Sequence, residues 1–381
     1  MKINADWLQE NGLQRLMQGL SARGFASFAV GGCVRNTLMG KPISDVDLAS
    51  NAPPETVTDI AQNLGFRVIP TGIDHGTVTV ICGDFSYEVT TFRRDIAADG
   101  RHAQVAFHAD IAQDAARRDF TINALYVAAD GTVHDPVGGL PDIAAGRLRF
   151  VGAPAARIVE DYLRILRYFR FHAVYADQDQ GFDADVLAAI ADHLGGLDHL
   201  SKERIGQEMR KILGADNPAP ALGAMAQTGV LSRVLPGADM RLVAPLVHLQ
   251  SDAPPNWLAR LAALGGQDVV AALRLDRRES AALGTLRAEM GGMSSPAALG
   301  WRYGASMAGD ILALRAAVFG QEMPPNWPQE AQRGAQAICP VRAADFMPRL
   351  AGAELGAALA RATQTWLDSD LTAQKPDLLR N

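Results

Sequence analysis

Phe25-Ala-Ser-Phe-Ala-Val-Gly-Gly-Cys-Val-Arg-Asn-Thr-Leu-Met-Gly-Lys-Pro-Ile-Ser-Asp-Val-Asp-Leu48 decides how the chain is read. Phe25 to Val30 is a short apolar run ending at Gly31-Gly32, a pair without Cβ atoms that lets backbone N–H groups approach a ligand closely. The pattern then predicts a short helix from about Cys33 to Met39, a turn at Gly40-Lys41-Pro42 and a second strand through Leu48. Alternate residues of a strand share a face, so Asp45 and Asp47 are expected to project together while Val46 and Leu48 point into the core. Two carboxylates on one face suit Mg2+, a hard cation usually held by one or two carboxylates plus the phosphates of its substrate. With the Gly-Gly turn upstream, the segment reads as one that brings a divalent metal to a nucleotide.

Up to about Phe150, β-rich runs (Arg67 to Pro70, Thr77 to Cys82, Tyr87 to Phe92, Leu125 to Val127) alternate with helices and Gly-rich turns, the pattern of a mixed α/β domain. After Val151 strand signals nearly vanish. Pro154 opens a long helical pattern, and Ala- and Leu-rich segments follow, broken by Pro218-Ala-Pro220, Pro254-Pro255, Gly291-Gly292 and Pro324-Pro325. The fold class is therefore α+β, a mixed-sheet head followed by an all-α remainder. Pro-Pro-Asn-Trp occurs at Pro254 to Trp257 and again at Pro324 to Trp327, without the wider period of a repeat protein.

With 381 residues and 48% hydrophobic content the chain can bury a large core in two or more domains. It has no run of about 18 apolar residues, and Met1 to Trp7 lacks the apolar core of a signal peptide, so no membrane role and a cytoplasmic location are expected. Cys33, Cys82 and Cys339 are far apart and form neither a zinc pattern nor a disulfide framework, which fits a reducing compartment. The net charge of −6 weighs against a nucleic-acid partner, but arginines gather between Arg93 and Arg170, where the motifs lie. They are interleaved with acids, as on a solvated mixed surface.

Gly31-Gly32-Cys33-Val34-Arg35-Asn36, Leu38, Gly40 and Asp45-x-Asp47 resemble the first motif of the class II tRNA nucleotidyltransferases, the CCA-adding enzymes, and of the related bacterial poly(A) polymerases, members of the polymerase-β-like nucleotidyltransferase superfamily. Asn36 stands where that family usually has Asp. Asp74 to Val80 and Tyr87 to Arg93 resemble the next two strands, and Asp99-Gly100-Arg101-His102 the flexible loop. Arg117-Arg118-Asp119-Phe120-Thr121-Ile122-Asn123 matches the second main motif, and Asp135-Pro136-x-Gly138-Gly139-x-x-Asp142 the third. Glu160-Asp161-Tyr162-Leu163-Arg164-Ile165-Leu166-Arg167 matches the nucleotide-selecting motif, with Tyr162 where proline is common, and Ser201 to Met209 the last. The resemblance covers about the first 215 residues. It implies a catalytic head over 1–150, a helical nucleotide-selecting neck over 151–215 and a helical, tRNA-binding body and tail over 216–381.

What it implies chemically is template-independent addition of the 3′-terminal CCA of tRNA from CTP and ATP, a two-metal nucleotidyl transfer with Mg2+ and release of pyrophosphate, and no obligatory protein partner. Asp45 and Asp47 would hold the metals, and Glu88 would supply a third carboxylate or else pair across strands with an arginine. Gly31, Gly32 and Arg35 would cradle the triphosphate, while Arg118, Asp119 and Asn123 would contact sugar and phosphate. On the selecting helix, Ile158, Tyr162, Ile165, Leu166 and Phe169 are expected on one face, with Asp161, Arg164 and Arg167 at i+3 steps beside it. An acid and an arginine match the exocyclic amine and ring-nitrogen acceptor shared by cytosine and adenine, whereas uracil and guanine present a carbonyl in place of the amine. The loop from Asp95 to His102 would switch the pocket between the two bases and favours a complete CCA enzyme over a CC-adding form, with an A-adding specialist also open. A poly(A) polymerase is the nearest rival, but the chain ends Lys375 to Asn381 without a long basic tail.

Overall fold

The computed structural model describes residues 1–73, 76–99, 102–107, 110–250 and 253–380. Helix α1 (Asn11–Ala22) carries Leu13, Leu16, Met17 and Leu20 at three- and four-residue steps, and all four are buried. Next come β1 (Ser27–Val30), α2 (Gly32–Leu38), β2 (Val46–Ser50), α3 (Pro54–Asn63), β3 (Arg67–Gly72), β4 (Thr77–Cys82) and β5 (Phe85–Thr91). Val57, Ile60 and Ala61 of α3 join the α1 leucines in one core with Leu48, Val78, Val80, Tyr87 and Val89 of the strands. Burial of each large apolar side chain there contributes about 1.5–3 kcal/mol.

A hairpin of β6 (Arg93–Asp99) and β7 (His102–Phe107) follows where a flexible loop is expected from the sequence; its residues Gly100 and Arg101, like Asp74 and His75 of the earlier motif, lie outside the described residues. Helix α4 (Ile111–Ala116), β8 (Tyr126–Val127), β9 (Val133–His134) and α5 (Gly139–Ala144) complete the α/β part. The seven-stranded sheet runs β3-β4-β5-β2-β1-β8-β9. Its pairs are antiparallel except β2 with β5, which run parallel with Asp47 beside Glu88. Because β2 starts at Val46, Asp45 precedes the strand instead of lying within it.

The long helix expected after Pro154 is broken into α6 (Pro154–Glu160) and α7 (Leu163–Tyr175). Asp161 is extended (φ −154, ψ 106) and its carboxylate accepts from the Leu163 N–H at 3.1 Å, a local bond that competes with helix continuation. Tyr162 takes φ −60, a value that proline also adopts, so the tyrosine meets the same backbone demand. Ile158, Ile165, Leu166 and Phe169 are buried as expected. Helix α8 (Ala184–Asp192) follows.

The chain forms two compact units, Met1–Ser201 with Gln227–Val230, and Lys202–Ala226 with Leu231–Asn381. The expected boundaries after 150 and 215 fall inside the first and second unit respectively. Helices α9 (Lys202–Leu213), α10 (Ala219–Gln227), α11 (Val230–Val234), α12 (Val243–Leu249), α13 (Trp257–Leu264), α14 (Val269–Ala272) and α15 (Arg277–Glu289) are followed by α16 (Pro296–Tyr303), α17 (Ala305–Phe319), α18 (Trp327–Gln336), α19 (Gly352–Asp368) and α20 (Lys375–Leu378). Both Pro-Pro-Asn-Trp copies open helices: the Asn256 side chain caps α13, and Asn326 precedes α18. Among the described residues no helix is long and apolar enough to cross a membrane.

The third sequence motif is a bracket beneath the 121–123 turn. Asp135 accepts from the N–H groups of Gly139 and Leu140 at 2.7 and 2.9 Å, and the buried Asp142 accepts from Thr121 Oγ1 at 2.6 Å. Gly139 is required by close approach, since a Cβ there would come within 2.3 Å of the Thr121 carbonyl oxygen. Gly139→Ala should therefore destabilise the head by roughly 2 kcal/mol or more, and a melting temperature within about 1 °C of the parent would contradict this packing account.

Candidate active site

The parallel register of β2 and β5 determines the acid row. Leu48 and Val89 turn into the core, so their neighbours Asp47 and Glu88 face outward side by side, with Asp45 two residues upstream. All three acids are exposed. Glu88 has Asp47 and Thr79 as cross-strand neighbours, not an arginine. Partial desolvation, then Glu88 and Asp45, push Asp47 up to about 6, with Arg118 acting in the opposite direction. Among the described residues no group of three or more His, Cys, Asp or Glu side chains converges on a metal-sized centre. The donor set is two or three outward carboxylates that repel one another, which suits a cation completed by substrate oxygens better than an all-protein cage.

Opposite the acids stands the turn from β1 into α2. Gly31 has φ +78, a conformation that favours glycine, and its N–H is directed to the Leu125 carbonyl at 3.4 Å. A Cβ on Gly31 would lie 3.7 Å from Arg118 Nη1, which places that guanidinium against the turn. Arg118 is anchored from behind: Nη2 donates to Asp114 Oδ2 at 2.9 Å and Nε to the Tyr126 hydroxyl at 2.9 Å, while Tyr126 donates to Asp114 at 2.7 Å. Arg117 Nε donates to the other Asp114 oxygen at 2.7 Å. Asp114 is fully buried. Burial alone would raise its carboxyl, but the two arginines and Tyr126 hold it below the usual carboxylate range.

Arg35 lies inside the protein, 6% exposed, rather than open to a phosphate. Its Nη1 donates to Asn123 Oδ1, its Nη2 to the Tyr175 hydroxyl at 2.8 Å, and Nε and Nη2 to Asn36 Oδ1 at 3.1 and 2.8 Å; its Cζ sits 3.9 Å from the Tyr175 ring centroid. Asn36 Nδ2 donates to the Pro42 carbonyl at 2.6 Å. An aspartate could accept from Arg35 equally well but could not make that second bond, so Asn36 additionally ties α2 to the turn before Asp45. Asn123 Nδ2 donates to Asp119 Oδ1 at 2.9 Å, and Arg167 Nε donates to Asp119 Oδ2 at 2.7 Å. Asp119, Asn123, Arg35 and Arg167 thus form one connected network.

Arg164 pairs with Glu160 at 2.5 Å, an i, i+4 ion pair, and donates to the carbonyls of Arg157 at 2.8 Å and Arg117 at 3.3 Å. Arg157 donates to the Arg118 carbonyl at 2.7 Å. These bonds bring Arg164 to the Arg117-Arg118 backbone, while Asp161 occupies the break between α6 and α7. Sequence reading missed Asp114, Tyr126, Glu160 and Tyr175, the groups that hold the arginines in place. Asp114 and Glu160 carry a signal, four residues before Arg118 and Arg164 on helical spacing. Tyr175 carries none, because its partner Arg35 is 140 residues away.

Residues 27–149 match the family described as Poly A polymerase head domain, and residues 181–242 the family described as Probable RNA and SrmB- binding site of polymerase A. The chain is 38% identical over 257 residues to CCA tRNA nucleotidyltransferase 1, mitochondrial, of Danio rerio, covering 66% of this chain and 60% of that protein. It is 38% identical over 269 residues to the CCA-adding enzyme of Streptococcus gordonii, covering 68% and 65%. The matched part thus spans under two thirds of these relatives. The fold superposes on Bacillus stearothermophilus CCA-adding enzyme in complex with CTP at TM-score 0.74 and 29% identity, covering 95% and 94% of the two chains. Thermotoga maritima CCA-adding enzyme complexed with tRNA shares the fold at TM-score 0.68 and 19% identity, covering 100% and 95%. Fold and site define a nucleotidyltransferase head joined to a helical region. The chain belongs to the family of class II CCA-adding enzymes and poly(A) polymerases.

Three buried acids give the head an acid limit. Burial would raise Asp114, Asp119 and Asp142, but their arginine partners and hydrogen bonds outweigh it and hold each below the usual carboxylate range. Groups depressed in the folded state stabilise it fully above their unfolded values, about 3.9, and that contribution is lost as pH falls through the folded ones. The stability these three acids contribute should be constant from about pH 7 to 5 and be lost below about 4, where melting temperature should fall. Asp119→Asn should melt lower at neutral pH and decline less steeply in acid; a decline identical to the parent would remove Asp119 from this account.

Proposed function

We propose that this protein adds or repairs the 3′-terminal CCA of tRNA, using CTP and ATP and releasing pyrophosphate. The observation that carries the reading is the outward row Asp45, Asp47 and Glu88, with Arg118 anchored at the Gly31 turn beside it. The names of the relatives support CCA addition, and bound CTP and bound tRNA in the named structures support the substrates. A cytoplasmic location accords with three free cysteines, two of them buried.

Asp45 and Asp47 would hold Mg2+, with Glu88 beside the attacking 3′-hydroxyl. A two-ion Mg2+ site held there would supply charge stabilisation to the attacking and leaving oxygens of the transfer. Arg118 and the backbone at Gly31-Gly32 receive the phosphates. Asn123 and Asp119 meet the sugar side, and Arg35 and Arg167 hold those two in place. Asp161 and Arg164 read the base edge, with Arg164 exchanging its Glu160 partner for the ring-nitrogen acceptor. A base that presents a carbonyl to the Asp161 carboxylate leaves two acceptors face to face, which costs more than a missing contact. The head, neck and tRNA-binding body assigned to 1–150, 151–215 and 216–381 remain part of this proposal.

The direct test is tRNA lacking its last three nucleotides, incubated with each labelled triphosphate and then with CTP plus ATP, resolved at single-nucleotide length. Two C additions followed by one A support CCA addition; arrest after CC, addition of A alone or long A tracts would reassign the protein to a specialist or a poly(A) polymerase. Asp45→Ala and Asp47→Ala should each abolish incorporation while leaving the fold intact, since both side chains lie outside the core. Near-parental turnover in the folded double variant would end the metal assignment.

Asp161→Ala should relax base choice more than it weakens triphosphate binding. The diagnostic is kcat/KM for CTP relative to UTP, expected to fall at least tenfold for a lost contact of about 1.4 kcal/mol. A uniform loss of rate with the ratio unchanged would make Asp161 solely the residue that caps α7.

A further inference from the structure

Within the helical unit, α14 stands between two non-glycine residues in the left-handed region, Asp268 at φ +45 and Arg274 at φ +49. Side chains rarely adopt this conformation, and strain of this kind concentrates where a particular wall must be built. The segment walls a cavity of about 540 Å3 lined also by Val270, Leu275 and Arg287.

The two arginines are held differently. Arg274 pairs with Glu203 at 2.9 Å on an exposed surface. Arg287 is half-buried and donates to the Gly265 carbonyl at 2.8 Å, capping the end of α13, but has no carboxylate partner among the described residues. That bond uses one of five guanidinium N–H groups. Other arginines of the unit are satisfied: the buried Arg260 has four acceptors, and the half-buried Arg210 and buried Arg315 pair with Glu279 and Glu289. Burial without a counter-charge pushes the Arg287 guanidinium below its usual value.

The surroundings favour an anion as well. Between Arg274 and Arg287 four arginines stand against two acids, in a chain of net charge −6. Arg277 and Arg278 are exposed and have no carboxylate partner among the described residues. Asp276 and Glu279 are engaged in capping α15. Asp268 is the one acid lining the cavity; it is exposed and makes no capping bond.

We propose that this cavity receives a phosphodiester of the RNA substrate, outside the region 181–242 that matches the RNA-binding family. The proposal rests on the reading that the substrate is tRNA. Arg287 donates to a non-bridging phosphate oxygen, Arg274 shares the charge, and the apolar wall at Val270 and Leu275 leaves room for the attached ribose, which a free phosphate would not fill. A contact of this kind carries no sequence information and adds its share to the salt dependence of binding.

The test is anisotropy of labelled tRNA lacking its CCA end with the full chain, over a KCl series from about 50 to 200 mM. Arg287→Gln should reduce the slope of log K against log salt by about 0.9, Arg287→Lys should retain it, and adding Arg274→Gln should reduce it further, with CTP affinity unchanged throughout. If Arg287→Gln melts early, the exposed Arg274→Gln and the charge-keeping Arg287→Lys still decide the matter. Parental slopes in Arg274→Gln and in folded Arg287→Gln would overturn the proposal. So would a parental slope combined with inorganic phosphate raising the melting temperature of the parent but not of Arg287→Gln, which assigns the cavity to a free anion. If the parent binds no tRNA at all, the CCA reading fails, and the proposal with it.

Discussion

Asp119 is a charged carboxylate only 9% exposed, and the site is arranged around satisfying it. Arg167 donates to one oxygen; the Asn123 amide and the Phe120 N–H donate to the other. Asn123 in turn accepts from Arg35, whose guanidinium lies over Tyr175. One buried acid thereby fixes α7, the 121–123 turn and α2 relative to one another. Removing a partner from such a group costs about 3–5 kcal/mol, because the remaining charge stays buried. Its neighbour Arg118 inherits that precision and meets the Gly31 turn at a defined place.

The site has two electrostatic halves built in different ways. Asp47 and Glu88 are set by strand register and, with Asp45 just ahead of β2, are left to repel one another, which adds to partial desolvation in making Asp47 resist ionisation. The arginines are each given a buried anchor, Asp114 for Arg117 and Arg118, and Asp119 for Arg167. An unanchored guanidinium has several rotatable bonds, and ordering it on substrate binding would consume affinity. Anchoring in advance fixes one edge of Arg118 at the Gly31 turn, so the proposed phosphate contact would carry little further entropic cost.

Much of this was legible in the sequence, and the parts that were not share a physical reason. Strand alternation at Thr77 to Cys82 and the outward setting of Asp47 are local and survive translation into structure, because burial of one sheet face fixes which residues point out, whereas Asp45 falls just ahead of the strand. The helix after Pro154 misled: its apolar periodicity runs straight through Asp161, while the break comes from a side chain bonding two residues ahead. Periodicity reports the buried face, which α6 and α7 share, and is blind to a backbone corner between them. Arg35 was legible as important but not as buried, since its partners Asn123 and Tyr175 come from distant parts of the chain. Arginine counts were equally ambiguous, because most of those between Arg117 and Arg167 are consumed by internal acids and carbonyls, leaving composition a poor guide to where a basic face lies.

Under the proposed base reading, the break between α6 and α7 would also link base choice to the Gly31 turn. Arg157 on one side of the corner and Arg164 on the other bind the carbonyls of Arg118 and Arg117. Those carbonyls belong to the two arginines that Asp114 holds, of which Arg118 lies against the Gly31 turn. A base that drew Arg164 away from Glu160 would therefore also pull on the backbone carrying Arg118, whereas a base that failed to engage Arg164 would leave it undisturbed. Cytosine and adenine differ in ring size, so under that reading the corner would adjust between them, while the buried Asp119 network holds Asn123 and Arg35 in place. The proposed selection without a template would require a reader that adjusts and a floor that does not, and the bonds of Arg164 on one side and of Asp119 on the other are arranged in keeping with that division.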